Sequence, residues 1–163
     1  TDVFIDHVDS KLKQKMEVSL GWFLKSRFEE GWTDIVMCLF ISLEALLATT
    51  GEPTTSHADD LAENVALLTK SHVNERYEWK KDFLEKRYRP LRNQIFHGGK
   101  VLEWNEYIDN VGNLEMDVAF SFIGLSARID EIKQYDGGKL SMKAIREYFE
   151  REKLKGGLAT NVS

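Results

Sequence analysis

The chain has 163 residues, enough for one domain with a sizeable core. Hydrophobic residues make up 42% and charged residues 30%, an ordinary balance for a soluble globular protein. The net charge of −5 argues against a general nucleic-acid binder, and no apolar run reaches the ~18–20 residues that a membrane span requires. There are only two prolines, Pro53 and Pro90, which suits long helices better than a turn-rich sheet protein. The single cysteine, Cys38, cannot form an intrachain disulfide and reads as a buried core thiol in the apolar run from Ile35 to Leu47. No secretory leader is visible, so a cytoplasmic location is expected. The chain does not open with Met, which leaves open whether it is a piece of a longer protein or a processed one.

Residues 3–28 read as an amphipathic helix, with Val8, Leu12, Met16, Leu20, Phe23 and Leu24 at three- and four-residue steps. Glu30-Gly31 breaks it, and Thr33 or Asp34 can cap the next helix, which runs to Leu47. Apolar residues wrap most of that second helix and place it at the centre of a bundle. Thr49 to Thr55, with Gly51 and Pro53, is a loop. A third helix starts near Ser56, favoured by Asp59 and Asp60 in its first turn, and carries Leu61, Val65 and Leu68, with Val73 near its end. A fourth covers Tyr77 to His97, kinked or restarted at Pro90 and stopped by Gly98-Gly99. A fifth spans Trp104 to Gln134, where Gly112 and Gly124 either weaken the helix or mark close packing. Asp136-Gly137-Gly138 is a turn, Ser141 to Lys153 a short sixth helix, and 156–163 a flexible tail after a single domain over 1–155. No segment alternates at period two, so the expected fold is an all-α, up-and-down bundle of five or six helices.

The chemistry concentrates in one place. Between Lys80 and Lys100 there are seven basic residues (Lys80, Lys81, Lys86, Arg87, Arg89, Arg92, Lys100) against two acidic ones (Asp82, Glu85), a local charge of +5 that leaves −10 elsewhere. One reading is a solvated cationic helix face; the other is a phosphate-binding surface. Within this run lies Arg92-Asn93-Gln94-Ile95-Phe96-His97-Gly98-Gly99. Arginine grips phosphate as a planar fork, and histidine moves protons near neutral pH. Asn93 precedes His97 by four residues, so the two share a helix face, whereas Arg92 is turned by about 140° from His97 in a regular helix. The plain alternative is a structural salt bridge for Arg92 and a helix-end role for His97. Glu44 lies mid-helix among Phe40, Leu43 and Leu47, either paired with Arg92 or facing solvent. Metal chemistry is not indicated: one Cys and four His (His7, His57, His72, His97) form no ligand spacing, and no Walker-type loop or Glu-x-x-His pair is present. No cofactor is expected.

The string Tyr88-Arg89-Pro90-Leu91-Arg92-Asn93-Gln94-Ile95-Phe96-His97-Gly98 resembles the Arg-Asn-x-x-x-His motif helix of the HEPN superfamily (higher eukaryotes and prokaryotes nucleotide-binding domains), most nearly its Apea-like group. Phe40-Ile41-Ser42-Leu43-Glu44-Ala45-Leu46-Leu47 is similar to the core helix that precedes the motif in that group, and the likeness covers about residues 33–135. The resemblance implies a HEPN-like bundle acting as a metal-independent endoribonuclease in a symmetric homodimer. Arg92 would hold the scissile phosphate, His97 would serve as general acid or base, and Asn93 would orient. Glu44 would support Arg92, and Arg89, Lys100 and Arg87 would attract the RNA backbone. The 2′-hydroxyl would attack, leaving a 2′,3′-cyclic phosphate. Such enzymes serve in toxin–antitoxin, phage-defence or RNA-processing systems, with an antitoxin or fusion domain as partner. The rival expectations are a non-catalytic HEPN module that binds nucleotide or RNA or dimerises a larger protein, and a purely structural helical domain.

Overall fold

A computed structural model describes residues 8–48, 56–93, 95 and 104–159. It is an all-α bundle. Helix α1 spans Ser10–Ser26, α2 Trp32–Leu47, α3 Ser56–Thr69 and α4 Val73–Asp82. A π-helical segment over Phe83–Asn93 continues α4. Then come α5 at Trp104–Ala127, the single turn α6 at Ile129–Lys133, a 3-10 turn at Gln134–Asp136 and α7 at Met142–Ala159. The loop expected at 49–55 and the Gly98-Gly99 stop lie outside the described residues.

Helix α2 is the hub, as its hydrophobic wrapping implies. Val36, Cys38, Leu39, Phe40, Leu43, Leu46 and Leu47 are all buried, and the helix packs on α1, α3, α5 and the π segment. Burial pushes the Cys38 thiol pKa up, in keeping with a core residue rather than a reactive one. A buried polar pair locks α1 to α2. Ser19 Oγ donates to the Ser42 carbonyl at 2.7 Å, and Ser42 Oγ donates to the Ser19 carbonyl at 2.8 Å. Each hydroxyl thus satisfies itself where water cannot reach. At the far end of α2, Lys15 Nζ donates to the Ala48 carbonyl and Asn64 Nδ2 to the Leu47 carbonyl, covering acceptors that a helix C-terminus leaves open.

Several boundaries differ from expectation for identifiable reasons. The start of α1 is Ser10 because Val8 forms a bridge with Leu140 and Asp9 N donates to the Leu140 carbonyl, holding that stretch extended. Neither Thr33 nor Asp34 caps α2: Gly31 takes the cap position, and Asp34 sits in the first turn, facing the helix's positive end. Val73 opens α4 instead of closing α3. The long fifth helix is interrupted at Arg128, whose Nη1 folds back to the carbonyls of Gly124 and Leu68. Gly137 and Gly138 both have positive φ in the turn before α7, and Ser141 Oγ caps that helix by accepting from Ala144 N. The backbone of α7 carries on to Ala159, past Lys153 and into the stretch expected to be tail; glycine weakens a helix without ending it.

Pro90 does not restart a helix: it lies inside the π segment. In an α-helix its ring would press on the carbonyl four residues back; the wider π turn relieves that contact. The buried positions explain the wide turn further. Phe83, Arg87, Leu91 and Ile95 are buried at steps of four, beside Leu84 and Tyr88. Such a pattern drifts by about 40° per step around an α-helix and stays closer to one face when each turn holds more residues.

Gly124 lies buried where α5 crosses α3, and a Cβ there would come within 2.3 Å of the Leu68 carbonyl oxygen. Gly112 faces open space, so only Gly124 marks close packing. Gly124→Ala should therefore destabilise the fold by about 1–3 kcal/mol despite alanine's better helix propensity. Urea denaturation of the variant measures this, and Gly112→Ala serves as the neutral or stabilising control.

Candidate functional site

Arg92 occupies the inner face near the end of the π segment. Its Nε donates to Glu44 Oε1 at 3.1 Å, and its guanidinium lies 5.5 Å from the centroid of the Tyr88 ring. Of the two readings of Glu44, the structure therefore has the ion pair. Both side chains are about one-fifth exposed, 20% and 23%, so the pair sits at the edge of the core. Tyr88 is buried and meets Phe40 edge-on at 5.7 Å, Phe83 touches both rings, and Trp79 stacks on Phe83 at 5.0 Å. This aromatic cluster seats the segment on α2. Burial raises the Tyr88 pKa, and the Glu44 carboxylate adds to the rise.

His97 and Lys100 lie outside the described residues, and Asn93 is described by its backbone alone.

Arg87 is not a phosphate ligand in this conformation. It is buried to 4% exposure, with Nη1 2.8 Å from Asp82 Oδ2 and Nε 3.3 Å from Asp117 Oδ2. The guanidinium also lies over the Trp79 and Phe83 rings. A guanidinium buried in this way is turned to the fold rather than to solvent, unlike the RNA contact expected of it. Arg89, by contrast, is exposed.

The basic run is largely neutralised from within. Lys80 reaches Asp59 at 3.3 Å and Glu63 at 2.7 Å. Burial pulls the Lys80 pKa down, yet these two carboxylates outweigh it and raise it. Lys86 and Arg87 share Asp82; burial raises the Asp82 pKa, but the two cations hold it below the usual value. Among the described residues of the run, Lys81 and Arg89 have no ion pair. Both line a groove of about 850 Å3 bounded by α3, α4, the π segment and α7, with Leu67 and Leu84 in its wall and Tyr77 exposed beside them. Its charged lining is mixed, with Glu63, Glu85 and Lys153 among the residues present.

Asp117 went unnoticed in the sequence. It lies three residues after Leu114 and next to Val118, inside the apolar stripe of α5, and that placement is the signal of a buried carboxylate. Its exposure is 6%. Desolvation pushes its pKa up, against the pull of Arg87 and Lys70, to about 7.

Among the described residues there is no group of three or more His, Cys, Asp or Glu side chains able to hold a metal ion, and no helix is long and apolar enough to cross a membrane. No protein-family description, curated protein or solved structure matches the chain.

The Glu44–Arg92 pair should show a coupling of about 1 kcal/mol, the scale of a partly exposed ion pair. A double-mutant cycle of Glu44→Ala and Arg92→Ala in chemical denaturation measures it. A coupling near zero would mean that Glu44 does not hold the guanidinium in place.

Proposed function

We propose that the chain is a HEPN-type endoribonuclease that cleaves RNA without a metal, by attack of the 2′-hydroxyl on the adjacent phosphate. The observation that carries this reading is the seat of Arg92. A guanidinium at the end of a helix, oriented by Glu44 through Nε and backed by the Tyr88 ring, keeps its terminal nitrogens in a defined plane. Such a fork fits the two non-bridging oxygens of a phosphodiester and the charge that grows on them as the fifth bond forms. His97, five residues further along the chain, is the proton-transfer group. It takes the proton from the 2′-hydroxyl or gives one to the leaving 5′-oxygen, and a second copy of the chain supplies the complementary histidine in a homodimer. Asn93 orients, and Arg89 with Lys100 draws the RNA backbone in. A toxin or phage-defence role, with an antitoxin or a fused domain as partner, belongs to the same reading.

One observation favours a second reading. Glu44 already neutralises Arg92, and Asp82 and Asp117 face Arg87, so the segment's inward arginines serve the fold. On that view the chain is a non-catalytic HEPN module that binds nucleotide or RNA, or dimerises a larger protein.

The deciding experiment incubates the purified chain with a structured RNA in EDTA beside an Arg92→Ala/His97→Ala variant. Cleavage by the wild type alone, leaving 2′,3′-cyclic phosphate ends and sparing DNA of the same sequence, is the expected outcome. The double substitution should lower the rate by at least ~10²-fold. Intact RNA with both folded proteins would favour the binding module.

A further inference from the structure

The contact between Arg87 and Asp117 is unusual in a way that the proposed chemistry does not use. Both side chains are almost fully buried, at 4% and 6% exposure. Arg87 Nε and Asp117 Oδ2 are 3.3 Å apart, within ion-pair distance, yet among the described residues neither atom has a hydrogen-bond partner. An ionised carboxylate oxygen left without a hydrogen bond in the core is costly. The pair also links the π segment to α5, and Arg92 follows Arg87 by five residues on the same segment. We propose that Asp117 is a positioning residue: with Arg87 it forms a protonation-sensitive clamp that holds the π segment against α5 and so aims Arg92.

The charges around Asp117 set the direction. Arg87 faces it from the π segment and Lys70 from just beyond α3, and both favour the carboxylate. From α4, Asp82 repels it, while the Trp79 side chain hydrogen-bonds to it. Asp82 itself is committed to Arg87 and Lys86. Desolvation outweighs the favourable partners, so the closed clamp binds a proton more tightly than an open one in which Asp117 meets water. The closed form titrates near pH 7 and the open form near the ordinary 3.8. The protonic contribution to closure is therefore full below about 3.8, falls about tenfold per pH unit above that, and is gone once the pH has risen through about 7. Ionised Asp117 pulls toward water, the π segment loosens, and Arg92 loses its fixed aim. The clamp is a property of the fold; only its consequence for catalysis rests on the ribonuclease reading.

Hydrogen exchange of the whole chain tests this without RNA. Corrected for the intrinsic pH dependence of exchange, protection of the amides in Phe83–Asn93 should fall about tenfold between pH 6 and pH 8. Protection in α2 should not change. In Asp117→Asn, which has no charge to gain, the fall should vanish. A flat wild-type profile would overturn the clamp even if the variant failed to fold, and so would a loss shared equally by every helix, which reports global unfolding instead. RNA cleavage in EDTA over the same pH range separates the two ideas. Cleavage that declines above pH 7 in the wild type but not in Asp117→Asn supports positioning. Cleavage with flat protection keeps the ribonuclease and removes the clamp. The expected protection profile without cleavage keeps the clamp and removes the ribonuclease.

Discussion

Two guanidinium groups on the inner side of one wide helical segment have to meet carboxylates, and this need ties the molecule together. Arg87 faces Asp117 on α5 and Asp82 at the end of α4, while Arg92 faces Glu44 on α2. Unpaired, either guanidinium would carry the desolvation cost of a charge near the core. Paired, the two join the segment to the hub helix and to the long helix beside it. In a regular α-helix, side chains five positions apart point about 140° apart. The π turn brings both arginines inward, and it also accommodates Pro90.

Among the described residues, the same geometry pairs most cations of the basic run with carboxylates. Lys80, Lys86, Arg87 and Arg92 each meet a carboxylate supplied by α2, α3, α4 or α5. Arg89 and Lys81 are left at the groove, and the acidic remainder of the chain is accordingly less acidic toward solvent than its formal charge implies. Among the described residues, this face offers a few placed cations rather than a broad positive field. Recognition would then depend on where Arg92 points more than on long-range attraction.

The clamp at Asp117 and the seat at Glu44 differ in kind. Glu44 and Arg92 are at the edge of the core, where water shares the solvation of both ions. Asp117 and Arg87 are beneath it, where an imperfect contact is felt fully. The segment is thus held by one partly hydrated pair near its end and one dry pair near its middle.

The helical class, the central place of α2 and most helix identities are legible along the chain, because apolar spacing along Ile35–Leu47 and Val111–Ile132 is a local signal of which face is buried. The sequence also narrows Glu44 to two roles, since a lone carboxylate among leucines needs a partner. Tertiary structure alone decided that the partner is Arg92, that Arg87 is buried rather than offered to phosphate, that Asp117 faces it, and that the run around Pro90 is π-helical. Those outcomes depend on which residues of distant helices arrive opposite one another. Charge counted along a chain carries no information about that, because a carboxylate 30 residues away in sequence, as Asp117 is from Arg87, neutralises a cation as well as a neighbour does.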